Sequence, residues 1–340
     1  MIHFTGDICL CDKAFDIGFG AGSKIAQGKI RPFDGLNKDN DDVWIGNFEG
    51  VISNVTCHED YTRDSFRISA ENYDKCGSII DYWGIANNHV MEHGGEAYQQ
   101  MEQLLSANSK GVFGSDMQRT ICFNHQGKKI ATTGFSLRVE EGKHQPQYWH
   151  IPELKEIQTE CEHYADADYR IAYIHWGVEY VNYPELEQVR LAHWLIDIGY
   201  DLIIGMHPHI LQGFEIYKGK YIYYSLGNCI FNMDYTPSKY GAIVALDVTT
   251  GEVRSRYIHI NSICCPNYIS ESEVPESYRF ASLNKKLTIE RNIEKYISEY
   301  HRGLKLYRKS NNRYIIKNLH HYRLGVILQI LSSFVKRRLK

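Results

Sequence analysis

Five short apolar runs recur along the chain, and each ends abruptly in polar residues. Ile2-His3-Phe4-Thr5 leads to Gly6-Asp7, and Val43-Trp44-Ile45-Gly46 leads to Asn47-Phe48-Glu49-Gly50. Tyr82-Trp83-Gly84-Ile85-Ala86 leads to Asn87-Asn88-His89. Arg170-Ile171-Ala172-Tyr173-Ile174 precedes His175-Trp176-Gly177, and Asp201-Leu202-Ile203-Ile204-Gly205 precedes Met206-His207-Pro208-His209. Short runs without polar alternation predict strands buried on both faces, as in parallel sheets. Helical periodicities lie between them. Residues 95–105 form one; residues 185–198 form the clearest, with Leu186, Val189, Leu191, Trp194, Leu195 and Ile198 on its apolar side, an acidic start and Gly199 past its end. Strands alternating with helices predict an α/β fold, in which functional residues gather beyond the carboxyl ends of the strands. Residues 214–224 read as a hairpin turning at Lys218-Gly219, and residues 242–248 with 253–260 as a second across Thr249-Thr250-Gly251. The sheets are therefore expected to be mixed.

The pattern changes after Pro266. Residues 1–265 read as one domain and residues 266–282, around Glu271-Ser272-Glu273-Val274-Pro275-Glu276, as a linker. Residues 283–340 read as a basic helical extension, with helices over 283–306 and 314–335. Charge sharpens that division. The 340 residues carry 38 Lys+Arg against 41 Asp+Glu, a formal charge of −3, but residues 300–340 hold eleven of the basic side chains and no acid. The remainder has 27 basic and 41 acidic side chains. An acidic body excludes broad phosphate-backbone binding, so no nucleic-acid partner is expected.

With 43% apolar and 23% charged residues the chain is ordinary globular material. Nine cysteines, an odd number, do not make a disulfide framework. The first residues lack the layout of a signal peptide, and the apolar run 325–335 is too short for a bilayer, which needs about 20 residues. A cytoplasmic body with reduced cysteines is expected, without a transmembrane helix.

The strand ends supply the chemistry. Asp7, Glu49, Asn88 with His89, His175, and His207 with His209 combine carboxylates with imidazoles, a set that suits divalent zinc, manganese or iron. Two such ions can activate a water and clamp the oxygens of a phosphoryl group. Singly, most of these residues have plainer readings. Asp7 can cap a turn, Glu49 can be a solvated loop acid, Asn88 can serve a turn, and His175 can be a hydrogen-bonded core histidine. His207-Pro208-His209 resists such a reading, because it sets two imidazoles on one stiffened loop. The conjunction of five strand ends favours a metal site.

The order of these motifs, extended by His175-Trp176-Gly177-Val178-Glu179-Tyr180, Val181-Asn182-Tyr183-Pro184, Leu211-Gln212-Gly213 and Tyr224-Ser225-Leu226-Gly227-Asn228, resembles the CapA family of bacterial capsule and poly-γ-glutamate synthesis. The resemblance covers residues 2–260, and the family is related to calcineurin-like metallophosphoesterases. It implies a four-layer α/β/β/α sandwich with mixed sheets and one or two divalent ions between them. Asp7 and His209 would hold one ion, and Asn88, His175 and His207 the other. Glu49 would bridge, and His89 would assist the leaving group catalytically. Three departures stand out. Cys9 replaces the histidine that follows the first aspartate in the phosphoesterases, Glu92 stands where many relatives have Asp, and the N-terminal membrane anchor common on the capsule pathway is not expected here.

Four further residues are candidates for substrate contact: Arg67, Trp176, Glu179 and Tyr180. Arg63 reads as a solvated neighbour of Arg67, and Trp176 reads equally well as loop packing. The basic tail fits either peripheral contact with an anionic membrane or packing against the acidic body. Two functions follow. One is a metal-dependent, phosphoesterase-like hydrolase in cell-surface polymer biosynthesis, acting on an anionic polymer or a phosphorylated small molecule. The other is a non-catalytic accessory that uses a degenerate metal pocket for binding.

Overall fold

The computed structural model describes residues 1–59, 62–138, 144–288, 292–322 and 325–328. Chain order begins β1 (Ile2–Ile8), α1 (Ala21–Ala26), β2 (Val43–Phe48), β3 (Val51–Ile52), β4 (Arg67–Ile68), α2 (Ala70–Asp74), β5 (Tyr82–Gly84), α3 (Gly94–Asn108) and β6 (Gly111–Phe113). It continues with β7 (Thr120–His125), β8 (Lys128–Ser136), α4 (Leu154–His163), β9 (Tyr169–His175), α5 (Leu186–Asp197) and β10 (Leu202–Met206). Then come β11 (Phe214–Tyr217), β12 (Lys220–Tyr223), β13 (Asn228–Ile230), β14 (Tyr240–Leu246), β15 (Val253–Ile260), β16 (Pro266–Tyr268), α6 (Phe280–Asn284) and α7 (Ile293–Lys317).

The strands build two large mixed sheets. The first has the order β16-β15-β14-β1-β2-β5-β6, with β13 beside β1. In it β1, β2, β5 and β6 run parallel, while β14, β15 and β16 join antiparallel. The second has the order β11-β12-β10-β9-β8-β7, with β8, β9, β10 and β12 parallel between two antiparallel edges. All five apolar runs of the sequence are strands of these sheets.

Period-two side-chain alternation explains how the layers stack. In β2, Val43 and Ile45 face the second sheet, while Trp44 and Phe48 face the opposite side. In β9, Ile171 and Tyr173 meet the first sheet, while Ala172 and Ile174 turn outward. Both faces are covered. Ala97, Met101 and Leu105 of α3 pack with Trp44 and Trp83, and Ile157 of α4 packs with Ala192 and Leu195 of α5 on the outer face of the second sheet. Three apolar cores between four layers make the α/β/β/α sandwich. Because both faces are buried, these strands show no polar alternation in sequence.

Helix termini follow local chemistry. Glu185 and Gln188 form a capping box at the start of α5, and the Asn292 side chain caps α7 through the amides of Glu294 and Lys295. The hairpin from β11 to β12 turns at Lys218 (φ +49°) and Gly219 (φ +79°), the left-handed pair that a tight hairpin requires.

The segment 266–282, read from its composition as a linker, is folded onto the sandwich. It contributes β16 and two 3₁₀ turns, and buries Val274 and Phe280 in the core between the sheets. Its polar composition misled because it lies on an edge, with only a few apolar anchors. The two helices expected over 283–306 and 314–335 are arranged differently. α6 ends early, α7 begins after the Asn292 cap, and α7 carries through Tyr314 to Lys317. Residues 329–335 and the basic Arg323, Lys336, Arg337, Arg338 and Lys340 lie outside the described residues. Among the described residues, no helix is long and apolar enough to cross a membrane. All nine cysteines are free thiols.

Candidate metal centre

The parallel strands β1, β2 and β5 of one sheet and β9 and β10 of the other bring their carboxyl ends to one edge of the sandwich, where the candidate ligands collect. Gly6 sets up the first of them. A Cβ there would lie 1.8 Å from the Gly227 carbonyl oxygen, so only glycine lets β1 approach close enough for the Asp7 amide to donate to Gly227 at 3.1 Å.

Asp7 is fully buried. Its Oδ1 accepts from Asn47 Nδ2 at 2.9 Å, and its Oδ2 accepts from the His207 backbone amide at 3.0 Å. His175 Nδ1 and His209 Nδ1 stand 3.6 and 3.5 Å from the two oxygens. Burial alone would raise this carboxyl; the imidazoles of His175 and His209 outweigh it and hold the group below the usual carboxylate range.

Glu49 is the anomaly. It is also fully buried, yet neither carboxylate oxygen accepts a hydrogen bond. The nearest imidazole nitrogens are His89 Nε2 at 3.6 Å and His209 Nε2 at 3.7 Å. Burial and the like charge of Asp7 push its carboxyl well up. Asp7, Glu49 and His209 each offer a ligand atom, all within 4.8 Å of one another. A buried carboxylate without a donor costs several kcal/mol, of order 1–3 even when partly relieved, and a cation removes that cost.

A second set adjoins the first. His175 Nε2 lies 2.8 Å from Asn88 Oδ1 and 3.0 Å from His207 Nδ1. His207 Nε2 is buried without a partner. Burial lowers His175 to about 4, against the pull of Asp7, and also lowers His207 well below its usual range, with help from His175 and Arg138. Both rings are therefore neutral near pH 7, the form that can ligate a cation. His207 and His209 sit at φ +94° and +57°, a conformation that non-glycine residues adopt only under constraint, here on either side of Pro208.

His89 is held by two neighbours. Its Nδ1 meets Glu92 Oε1 at 2.5 Å, and its ring stacks on Phe66 at 3.9 Å and 5°. The Glu92 carboxylate thus reaches the ring. Cys9, by contrast, does not join the cluster. Its thiol points at the Cys11 carbonyl, and burial keeps it protonated.

Sequence reasoning missed the residues that orient the ligands. Asn47 donates to Asp7 and accepts from Asn87, while Asn228 Oδ1 meets His209 Nδ1 at 3.0 Å and leaves Nε2 facing Glu49. Asn47 carried a signal in the sequence, as an asparagine at a strand end two residues before Glu49; Asn228 carried none, since its partner His209 lies 19 positions away. Arg138 was also missed. It donates to the Gly177 carbonyl and, with Glu179, Glu185 and Tyr296, Ile297 and Tyr300 of α7, lines a cleft of about 290 Å³ that reaches His207.

The four substrate candidates divide. Glu179 stands at the mouth, 3.8 Å from His209 Nε2. Tyr180 lies 6.4 Å from the His209 ring, but its other face is covered by Tyr307 of α7 at 4.6 Å. Trp176 turns away into the outer core, where its indole donates to the Tyr224 carbonyl at 2.9 Å; packing, not substrate contact, explains it. Arg67 is not brought to the cluster either. Its guanidinium donates to the carbonyls of Ser53 and Arg63 and to Asp64, beside a separate depression with Asp12 and Asn72. Arg63 is exposed.

Comparison with known proteins agrees with the motif order. Capsule biosynthesis protein CapA of Bacillus anthracis is 33% identical over 223 residues, 60% of this chain and 54% of that protein. PGA biosynthesis protein CapA of Bacillus subtilis is 30% identical over 218 residues, 60% of this chain and 57% of that one. The chain thus spans little more than half the length of these curated relatives. Among solved structures, a phosphatase from Mycoplasma pneumoniae is 16% identical, with a TM-score of 0.45 over 76% of this chain and 92% of that chain. The profile of the bacterial capsule synthesis protein family PGA_cap matches residues 1–233, a shorter stretch than the motifs suggested but well over half of the chain, and the chain belongs to that family.

Proposed function

We propose that the protein is a metal-dependent hydrolase of phosphoester-type bonds that serves capsule, poly-γ-glutamate or related cell-surface polymer biosynthesis. Family membership supports the biological setting. The observation that carries the chemistry is Glu49, a fully buried carboxylate with two unpartnered oxygens facing Asp7 and His209. Asp7, Glu49 and His209 would hold one divalent ion of the manganese, iron or zinc type, and Asn88, His175 and His207 a second. Ions held there supply Lewis acidity to a phosphoryl oxygen and ease deprotonation of water. The chain's own groups do the rest. Neutral His175 and His207 present lone pairs, Asn47 and Asn228 fix the orientation of Asp7 and His209, and His89, poised by Glu92 and Phe66, delivers a proton to the leaving oxygen. Glu179 and Arg138 flank the cleft through which substrate reaches His207.

The test is elemental analysis of the purified protein, followed by phosphodiester hydrolysis with wild type and His207→Ala. One or two ions per chain and activity lost in the variant are expected; a metal-free, inactive wild type would sink the reading.

A second reading makes the chain a binding accessory of a polymer-synthesis complex. The withdrawal of Cys9 from the cluster motivates it, since the first ion then has fewer ligands than a phosphoesterase centre provides. Turnover by the wild type that disappears in Asn88→Ala excludes it.

A further inference from the structure

The cations of α7 turn away from the acidic body. Between residues 302 and 317 the helix exposes Arg302, Lys305, Arg308, Lys309, Arg313 and Lys317, and holds no acid. Residues three and four apart on a helix are neighbours, so these side chains form one band of about 23 Å with repulsion at each step. The body does not neutralise it. Among the described residues, the one ion pair made by a basic residue of α7 joins Arg302 to Glu299 of the same helix.

The inner side of α7 is fixed along its length. Tyr296 packs on Tyr183, Gly303 and Tyr307 pack on Tyr180, and the Tyr314 hydroxyl accepts from Asn232 Nδ2 at 3.1 Å. The charged band is thus held outward on a firm support. Apolar side chains lie in it and beyond it. Ile316 follows Lys309 by seven residues and Arg313 by three, which puts it on the same face, and it is 67% exposed. Leu319 and Leu328 beyond it are 43% and 59% exposed. Residues 293–328 hold six of the twelve large apolar side chains exposed among the described residues, a concentration that marks an interaction surface. The sequence continues with Ile330, Leu331, Phe334 and Val335, then Lys336, Arg337, Arg338 and Lys340.

We infer that this face docks the protein on an anionic lipid surface, with α7 lying along the headgroups. A plane of acidic headgroups meets the exposed cations along the whole band, and each Lys or Arg near such a surface strengthens binding about fivefold. The apolar members single out lipid among anionic partners. A soluble polyanion neutralises the cations but leaves Ile316, Leu319 and Leu328 in water. The boundary between headgroups and acyl chains accepts both kinds of side chain. α7 is not apolar enough to cross a bilayer, so the contact is with its surface. The metal centre takes no part, and the inference stands or falls apart from the hydrolase reading.

The experiment is sedimentation of the full chain with vesicles of phosphatidylcholine alone and of phosphatidylcholine and phosphatidylglycerol in equal parts. At about 100 mM salt the anionic vesicles bind at least about tenfold more tightly than the neutral ones, and their affinity falls about tenfold or more by about 500 mM. The exposed triple variant Lys305→Gln/Lys309→Gln/Arg313→Gln weakens binding to the anionic vesicles about tenfold or more without lowering the melting temperature. Ile316→Ser/Leu319→Ser weakens it about threefold or more, and chelator leaves it unchanged. No binding to either vesicle, equal binding to both, unaltered affinity in either variant, or loss of binding in chelator would each overturn the proposal.

Discussion

Glu49 and Asp16 are both fully buried acids, but their surroundings give them opposite consequences. At neutral pH without a cation, Glu49 must either ionise with no hydrogen-bond donor or keep a proton well above its ordinary range. Glutamine avoids both costs. Chelator-treated Glu49→Gln should therefore be more stable than chelator-treated wild type, by about 1–3 kcal/mol in urea unfolding, while its metal content falls. Asp16 instead accepts from the Lys13 amide and from Asn232, beneath the Lys13 ammonium held between Phe15 and Phe231. Burial pushes its carboxyl up to about 7, against the attraction of Lys13. A raised value means that Asp16 stabilises the fold fully below its ordinary 3.8 and that this contribution is lost as pH rises through about 7. Relative to wild type, Asp16→Asn should gain on the order of 2–4 kcal/mol between those limits, read as the difference in unfolding free energy at each pH.

At the scale of elements, α7 docks through a glycine. A Cβ on Gly303 would come within 2.8 Å of the Tyr180 carbonyl oxygen and 2.9 Å of its Cβ. Gly303→Leu should push the helix from the loop that carries Glu179 and Tyr180, costing about 1–3 kcal/mol in thermal unfolding and speeding proteolysis within α7. Nothing in the sequence around Gly303 announces this, because the partner lies more than a hundred positions away. The strands that end in candidate ligands were legible for the opposite reason, since each bears an unbroken apolar run and then an abrupt polar residue. Trp176 shows the limit of that signal. Its position after His175 suggested the cleft, but the alternation along β9 continues past the strand and turns the indole to the outer core.

For the whole molecule, the cluster fastens one sheet to the other. Asp7 and Glu49 come from the first sheet, and His207 and His209 from the loop after β10 in the second. An ion bound across them binds the folded chain alone. Adding Mn²⁺ to chelator-treated protein at about a hundred times its dissociation constant should raise stability by about 2.7 kcal/mol, measured by calorimetry, and Asp7→Asn should remove most of that increment. The sequence by itself determined the alternating strands and helices, the six candidate ligands and the contrast between acidic body and basic tail, because each is written in local pattern or composition. Only the tertiary structure decided that Glu49 is left without a donor, that Cys9 turns away, that residues 266–282 close the inter-sheet core, and that α7 lies beside the cleft with its cations outward. Those outcomes depend on which surfaces meet across long separations in the chain, and burial of a polar group acquires its energy only when the partners around it are fixed.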